Sequence, residues 1–488
     1  MEKVVELITV INSKIHGLVW GVPMLVLILG TGIYMSVRTG FFQFTRLKLV
    51  FNQTLFAIFK KKSVTKTKDK EAITQFQALS TALAATIGTG NIAGVATAIS
   101  MGGPGAVFWM WVSAFFGMMT SYAENVLGIY FRRKNPKGEW SGGPMYYLEH
   151  GVGSKTLAVL FALFCALASF GIGNITQVNS ISSALKESFG IPALATGIGL
   201  AVLVALIVVG GIKRIGQTTE KLVPFMALMY IVGAIAVILL NIHAVPGVFK
   251  LIFRDAFGLN AVAGGVSGAV MKHMVTMGLK RGVFSNEAGL GSAVMVNSAS
   301  NVKEPAVQGM WGIFEVFVDT IVVCTLTALV ILSTGVVGTI GSSGAVLDGV
   351  PLVSAAFSHG FGQLAGKFVS VAILLFAFST VLGWSYYGEK AVEYLLGSRA
   401  VIGYKVLFVL VVVLGATMDL TLVWSIADTL NGLMAIPNLI GVLLLSGIVI
   451  KITNNYIGRH LKGSNERPML SIDPEIQRMQ EIAVGEED

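Results

Sequence analysis

The residues whose types and spacing suggest chemistry are glycines and short polar residues inside an uncharged apolar run. Residues 86–94 read Thr-Ile-Gly-Thr-Gly-Asn-Ile-Ala-Gly, with two glycines and an asparagine in the middle of the run. A helix interrupted here frees backbone N–H groups, which suit a carboxylate, and C=O groups, which suit a small cation. An amino-acid zwitterion needs both kinds of partner. The alternative interpretation is that these glycines only allow tight helix packing.

A second glycine-containing run lies in the other half of the chain. Residues 273–282 read His-Met-Val-Thr-Met-Gly-Leu-Lys-Arg-Gly, and Phe-Ser-Asn-Glu-Ala-Gly follows at 284–289. When the first hydrophobic run is set aside, the two interrupted runs open two successive sets of five. Transporters place binding sites at such matched interruptions of two inverted repeats. We therefore predict a second broken helix within residues 273–289.

Adjacent hydroxyls at Ser379 and Thr380 are the third feature. Hydroxyls in an apolar helix usually donate to the carbonyl four residues earlier, which is a purely structural role. They can instead offer neutral oxygens to a monovalent cation. No acidic residue lies in this span, which argues against a divalent ion, since divalent ions prefer carboxylates. Trp384, about one turn further on, fits a core residue, an interface anchor or a pocket wall equally well.

The elements that position these residues are transmembrane helices. Of the 488 residues, 54% are hydrophobic and 12% charged, about half the charged fraction of a soluble domain, and the mean hydropathy is +0.76. These values exclude a soluble enzyme, a disordered chain and a disulfide-stapled secreted domain. About eleven runs are long enough to cross a bilayer. They are residues 17–37, 78–100, 105–123, 156–180, 190–212, 222–249, 256–279, 305–335, 368–388, 406–418 and 420–450.

The positive charge indicates the orientation. The formal net charge is +9, and nine Lys or Arg lie between residues 38 and 71 against two acids. Further basic residues fall in every second loop, at 132–137, 213–214, 280–281, 390–405 and 451–462. Cytoplasmic loops carry such an excess, so we predict the N-terminus outside and the C-terminus in the cytoplasm of a multi-pass protein of the cell membrane. Because the cytoplasmic loops account for the positive net charge, we expect no nucleic-acid partner. The tail after Ser464 is expected to be a mobile or helical extension.

Other kinds of site find little support. Gly88 to Gly94 does not match the dinucleotide fingerprint and has no strand before it. Cys165 and Cys324 lie in apolar runs without metal-type spacing, and the six histidines form no cluster. No nucleophile and base stand out, so we do not expect an enzyme. A sensor or channel is disfavoured because no sizeable soluble domain is present and broken helices suit occlusion better than a pore.

Four acids lie in or near the spans, where ionisable groups are functional candidates by default: Glu124, Glu315, Asp319 and Asp428. We expect Glu124 to pair with a neighbour such as Arg132. Glu315 and Asp319 are four residues apart and share a helix face. Three roles are open for this pair: a proton relay, a contact with the Lys272–His273 pair, or structural pairing. Lys280, Arg281 and Glu287 are expected to form an inner gate or ion-pair cluster.

Several long motifs resemble the alanine-or-glycine:cation symporter family. They are Ala-Ala-Thr-Ile-Gly-Thr-Gly-Asn-Ile-Ala-Gly at 84–94, Gly-Gly-Pro-Gly-Ala-Val-Phe-Trp-Met-Trp at 102–111, Gly-Gly-Pro-Met-Tyr-Tyr at 142–147 and Lys-Arg-Gly-Val-Phe-Ser-Asn-Glu-Ala-Gly-Leu-Gly at 280–291. The similarity spans nearly the whole chain, from Val-Trp-Gly at 19–21. It implies an all-α membrane protein of the leucine-transporter type. That fold has five plus five inverted helices, here with one extra N-terminal helix.

The resemblance also implies the function and the site residues. A sodium-driven secondary transporter would carry alanine, glycine or a close relative inward by alternating access. Its substrate site would comprise Thr89, Gly90, Asn91, Phe170, Gln177, Thr276, Met277, Gly278 and Trp384. Its Na⁺ ligands would be backbone oxygens of Ala84, Ile87 and Phe376 with the hydroxyls of Ser379 and Thr380.

The chain is accordingly divided into four parts. We expect the extra helix and a basic loop at 1–72, the first repeat at 73–250, the second at 251–450 and a cytoplasmic tail at 451–488. The expected partners are a small neutral amino acid and membrane lipid, and no oligomer is implied. A proton-coupled or glutamine-type carrier of the same fold stays open as the alternative.

Overall fold

The computed structural model describes residues 2–257, 267–341, 344–418 and 421–485. Its N-terminal part comprises α1 (Glu2–Val19), α2 (Val22–Arg38), α3 (Phe42–Thr45), α4 (Leu47–Gln53), α5 (Leu55–Lys60) and α6 (Lys62–Thr65). The next part comprises α7 (Gln75–Thr86), α8 (Val95–Gly102), α9 (Ala106–Tyr130), α10 (Pro144–His150), α11 (Lys155–Phe170), α12 (Thr176–Phe189), α13 (Ala193–Val208), α14 (Gly211–Leu240) and α15 (Val245–Ala256).

The second half is also helical. It comprises α16 (Ser267–Asn286), α17 (Val294–Asn297), α18 (Pro305–Val316), α19 (Thr325–Ser333), α20 (Gly349–Phe361), α21 (Ala365–Leu396), α22 (Ala400–Thr417), α23 (Thr421–Leu444), α24 (Ser446–Lys462) and α25 (Pro474–Gly485). π-Helical segments occupy Gly90–Gly94, Gly171–Ile175 and Phe317–Cys324, and 3₁₀ turns occupy Ile242–Ala244 and Gly362–Leu364. Within the described ranges the one sheet pairs β1 (Arg133–Lys134) with β2 (Trp140–Ser141) antiparallel.

The predicted all-helical membrane fold is confirmed. In the described part of the chain, eight helical segments are long and apolar enough to cross a membrane, and the bent pair α7 and α8 makes a ninth. The shorter α13 and the helix α16 occupy two further predicted spans. The beginning of the predicted span 256–279 falls on residues 258–266, which lie outside the described residues.

The first predicted interruption is present. Helices α7 and α8 are bent by 52° relative to each other, and Ile87, at ψ 87°, ends the helical backbone of α7. Gly383 lets α21 approach this point, because a Cβ on Gly383 would lie 2.7 Å from the Cβ of Ala85. The close contact places the hydroxyls of α21 beside the end of α7.

The second interruption lies at the end of the run that predicted it, beyond the expected site residues Thr276, Met277 and Gly278. Helix α16 runs through Thr276, Met277 and Gly278 without a break and ends at Asn286. Gly278 serves packing, since a Cβ there would lie 2.5 Å from the carbonyl oxygen of Ala106. One glycine costs a helix only about 1 kcal/mol, which packing easily offsets. The chain instead leaves the helix at Glu287 (φ 56°), Gly289 (φ 97°) and Gly291 (φ 75°).

The predicted pairing of Glu124 with Arg132 is wrong. The Arg132 guanidinium is buried and donates to the carbonyls of Ser298, Ser300 and Val302 at 3.2, 2.8 and 2.6 Å. It therefore holds the chain that follows α17 against the end of α9. Glu124 is bound elsewhere.

The C-terminal tail is a docked extension. Its helix α25 was foreseen as one possibility, but its contacts with the rest of the chain were not. The backbone N–H of Ile472 donates to the carbonyl of Tyr130 at 3.0 Å, and Asp473 pairs with Arg133 at 3.7 Å. The tail therefore packs on the end of α9.

Candidate functional site

The first interruption is held by its own asparagine. Helix α7 begins with a capping box in which Thr74 and Gln77 satisfy each other's backbone N–H groups. At its other end the Asn91 carboxamide oxygen accepts a hydrogen bond from the N–H of Gly88 at 2.9 Å. Asn91 thus replaces a helical partner that the break removes, and it is not among the residues that line the cavity described below.

A buried carboxylate joins the two interruptions. Asp319, which is 1% exposed, lies in the π-helical segment after α18. It accepts hydrogen bonds from Asn91 Nδ2 at 2.7 Å, from Ser285 Oγ at 2.7 Å and from Thr320 Oγ1 at 2.8 Å. Asn91 belongs to the first break and Ser285 to the last turn of α16. Asp319 is therefore the polar junction between the two broken helices.

Glu315 has separate partners from Asp319. Its carboxylate accepts hydrogen bonds from Asn297 Nδ2 at 3.0 and 3.4 Å. The two acids share a helix, as their spacing predicts, but each is bound by its own amide. A proton relay between them has no direct contact to support it.

The second interruption turns another carboxylate inward. Glu287 accepts a hydrogen bond from Trp384 Nε1 at 2.9 Å and a further one from Ser292. Asn438 holds the chain next to it, donating to the carbonyl of Gly289 at 2.8 Å and to Glu124 Oε1 at 2.5 Å. Glu124 is therefore bound through Asn438, and Glu287 is fixed in position beside Trp384.

Between the two breaks lies a small cavity. Its lining comprises Ala85, Thr86, Gly88, Thr89, Gly90, Ile172, Gln177, Phe284, Glu287, Thr380, Trp384 and Asn431. Thr89 Oγ1 donates to Gln177 Oε1 at 3.2 Å, which ties the first break to α12. A Cβ on Gly173 would lie 2.3 Å from that of Trp384, so the π-helical segment before α12 makes room for the indole.

Four predicted substrate residues line this cavity: Thr89, Gly90, Gln177 and Trp384. The others do not. Phe170 packs on Tyr404 and Phe408 of α22, with ring centroids 5.3 and 5.9 Å apart. Asn91 supports the break, and Thr276, Met277 and Gly278 lie earlier in α16.

Sequence reasoning missed several lining residues, above all Glu287. It had been assigned to an inner gate with Lys280 and Arg281, but among the described residues it forms no ion pair with either. Lys280 Nζ lies 2.6 Å from Asp428 Oδ2, which also contacts His16 Nε2 at 3.0 Å. One signal could have located the second break, because Gly289 and Gly291 repeat the Gly-x-Gly spacing of Gly88 and Gly90. The single glycine at 278 does not.

The predicted Na⁺ ligands form a cluster of neutral oxygens. Ser379 Oγ and Thr380 Oγ1 lie 3.0 and 3.1 Å from the carbonyl oxygen of Ala84. Both hydroxyls also donate to the carbonyl oxygen of Phe376 in their own helix, at 2.8 and 3.0 Å, which is the structural role that such hydroxyls usually have. The Ile87 carbonyl belongs to non-helical backbone beside them. Such a set suits a monovalent cation. No group of three or more His, Cys, Asp or Glu that could hold a metal ion occurs among the residues described.

Comparisons with known proteins give a family and several relatives. The profile of the Sodium:alanine symporter family matches residues 5–470. The sodium/alanine symporter AgcS of Methanococcus maripaludis is 48% identical over 456 residues, which are 92% of this chain and 97% of that protein. The probable sodium/glutamine symporter GlnT of Bacillus subtilis is 37% identical over 467 residues, 95% of this chain and 93% of its own.

Solved structures show the same fold at low identity. MhsT in complex with L-phenylalanine has a TM-score of 0.53 at 13% identity, over 79% of this chain and 99% of its own. A manganese transporter of Eremococcus coleocola has a TM-score of 0.50 at 15% identity, over 87% of this chain and 88% of its own. These likenesses support the leucine-transporter-type fold.

Two glycine substitutions test the packing at the first break. A Cβ on Gly88 would lie 2.6 Å from Thr380 Oγ1, so Gly88→Ala should destabilise the protein by about 1–3 kcal/mol through overpacking. Gly94→Ala is the control, because its Cβ would meet nothing within 4 Å and alanine favours helix. Thermal unfolding in detergent should show a lower melting temperature for the first variant only. Equal shifts would contradict the close approach of α21.

Proposed function

The chain belongs to the sodium:alanine symporter family of sodium-coupled amino-acid transporters, and on that premise we propose that it carries alanine or glycine into the cell together with Na⁺. The family and the relatives are transporters and not enzymes. Small neutral amino acids fit the chemistry of the cavity. The route follows alternating access, as expected for two inverted repeats at residues 73–250 and 251–450.

The observation that carries this proposal is the pairing of opposite charges across one cavity. Backbone N–H groups of Thr89 and Gly90 lie at the start of a helical segment, where the helix dipole favours an anion. The buried Glu287 carboxylate lines the same cavity. An amino acid would place its carboxylate at the amides and its ammonium at Glu287.

The side-chain end of the cavity is apolar. Ile172, Phe284 and Trp384 line it, and the Trp384 indole is fixed by its hydrogen bond to Glu287. Gln177 supplies a polar edge. Phe170, placed behind this wall against α22, would limit the pocket only indirectly. A methyl group or a hydrogen as the substrate side chain suits this enclosure, and a larger side chain such as that of glutamine is the alternative.

Na⁺ would bind where α7 meets α21. The carbonyl oxygens of Ala84, Ile87 and Phe376 with the hydroxyls of Ser379 and Thr380 would replace its water shell. Thr380 also lines the substrate cavity, so cation and substrate would share a wall. This contact gives a physical route for coupling, because an ion that fixes α7 against α21 also fixes the N–H groups that follow Ile87.

A proton-coupled mechanism at Asp319 has weaker support. Three hydrogen-bond donors already satisfy this carboxylate as an ionised group. Asp319 is therefore better explained as the junction of the two breaks.

The orientation is proposed with the N-terminus outside and the C-terminus in the cytoplasm of the cell membrane. The basic residues at 38–70, 132–137, 213–214, 399–405 and 451–462 support it. Lys280 no longer contributes, because it is paired with Asp428 within the helical bundle.

A binding screen tests the substrate. Thermal unfolding of the purified protein would be followed with each amino acid, with and without Na⁺. Alanine and glycine should raise the melting temperature more in Na⁺ than in K⁺ of equal concentration. If glutamine alone stabilised the protein, the glutamine-type alternative would replace this one.

The cation site predicts a selective defect. Ser379→Ala with Thr380→Ala removes two of five oxygens, so half-maximal uptake should need about tenfold more Na⁺. Ser385→Ala is the control, since this buried hydroxyl of the same helix donates to Leu382. Initial rates of uptake would be measured against Na⁺ concentration. An unchanged Na⁺ dependence of the double variant would move the site elsewhere.

The ammonium site predicts a defect in substrate recognition. Glu287→Gln keeps an acceptor for Trp384 but removes the negative charge, so alanine affinity should fall roughly 10- to 100-fold. Propionate, which lacks the amino group, serves as the matched ligand. The wild type should strongly prefer alanine to propionate in competition binding, and the variant should lose most of that preference. A preserved preference would exclude Glu287 as the partner of the amino group.

A further inference from the structure

The chain between α2 and α7 exposes aromatic side chains although its helices are too short to cross a membrane. Helices α3 to α6 have four to seven residues each, against about 20 for a span. Phe44 is 69% exposed and Phe59 81%, and Phe41, Leu47 and Phe56 are exposed as well. We call residues 41–62 the basic–aromatic segment.

The other face of this segment packs on the protein. Val50 and Ala57 are buried, and the ring of Phe51 meets those of Phe314 and Phe317 edge-on at 6.2 and 5.7 Å between centroids. Ser63, immediately after the segment, accepts a hydrogen bond at its carbonyl from Asn301 Nδ2 at 2.9 Å. The segment is therefore anchored along the side of α18. Its exposed aromatic rings face outward beside the transmembrane helices.

Positive charge accompanies these rings. Residues 38–68 contain eight Lys or Arg and no Asp or Glu, in a chain whose net charge is +9. In the part of the chain that the structure describes, none of these eight forms an ion pair. Lys61 donates to Gln53, and Lys60 lies over the ring of Phe56 at 5.8 Å. The cations at Lys60, Lys61 and Lys62 are exposed and uncompensated.

We propose that the basic–aromatic segment is a binding surface for anionic phospholipid. Headgroup phosphates would contact Lys60, Lys61 and Lys62, and acyl chains would lie against Phe44 and Phe59. Interfacial segments combine these two features, apolar rings at the acyl boundary and Lys or Arg at the headgroups. An acidic protein or a nucleic acid would match the charge but would leave the aromatic rings uncovered. The proposal does not depend on which amino acid is carried.

The test compares two headgroups on the purified full chain in detergent. A fluorescent short-chain phosphatidylglycerol and the phosphatidylcholine with the same chains would be titrated. Each Lys near an anionic surface strengthens attachment about fivefold, so phosphatidylglycerol should bind roughly tenfold tighter or more. Raising the ionic strength from about 0.1 to about 0.5 M should weaken phosphatidylglycerol binding and leave phosphatidylcholine unaffected.

Charge-matched variants locate the surface. Lys60→Gln with Lys61→Gln and Lys62→Gln should weaken phosphatidylglycerol binding on the order of 10- to 100-fold. Arg399→Gln with Lys451→Gln and Lys462→Gln removes the same charge from exposed positions elsewhere and should bind as the wild type does. The melting temperature of each variant checks its folding. Equal affinity for the two headgroups in the wild type, or equal losses in both variants, would overturn the proposal.

Discussion

A bilayer offers no water to backbone groups, so every interruption of a helix within it must be satisfied by the protein itself. The hydrogen-bond network of Asn91, Asp319 and Ser285 meets this requirement. Asn91 replaces a lost helical partner at Gly88, and its amide nitrogen then binds Asp319, which also holds the end of α16. One carboxylate thus keeps two broken helices side by side. The cavity exists because these breaks are stable.

The breaks determine what the cavity can bind. The first places Thr89 and Gly90 at the cavity, and the second places Glu287 there through a left-handed backbone conformation. The proposed carboxylate and ammonium sites therefore share one cavity, whose described lining residues include no Lys or Arg. The hydroxyls of α21 meet α7 at its end, so a cation there would support the same segment that contacts the substrate.

The sequence allowed some of this to be predicted in physical terms. Composition and run length were sufficient for the helical membrane fold, because few other structures tolerate so little charge. The first break could be predicted from the two glycines and the asparagine in the middle of an apolar run. The hydroxyl pair alone did not distinguish a cation site from a structural role, so its assignment to Na⁺ depended on the family resemblance and stays a prediction.

The position of the second break within its run could not be predicted, because Gly278 packs against Ala106 and glycine content alone does not separate packing from interruption. The role of Glu287 depends on the turn at 287–291, which directs the side chain toward Trp384. Lys280 was counted with the cytoplasmic loops because its partner Asp428 is distant in sequence. Tail docking and the binding of Glu124 through Asn438 likewise depend on contacts between remote segments, which no local pattern reveals.

Transport in proteoliposomes shows whether a Na⁺ gradient drives amino-acid uptake through this chain. The purified protein would be reconstituted, an inward Na⁺ gradient imposed, and radiolabelled alanine followed inside the vesicles. Sodium-coupled symport predicts accumulation above the external concentration, which collapses when Na⁺ is equal on both sides. Equal accumulation with K⁺ in place of Na⁺, or accumulation driven by a pH gradient alone, would contradict it.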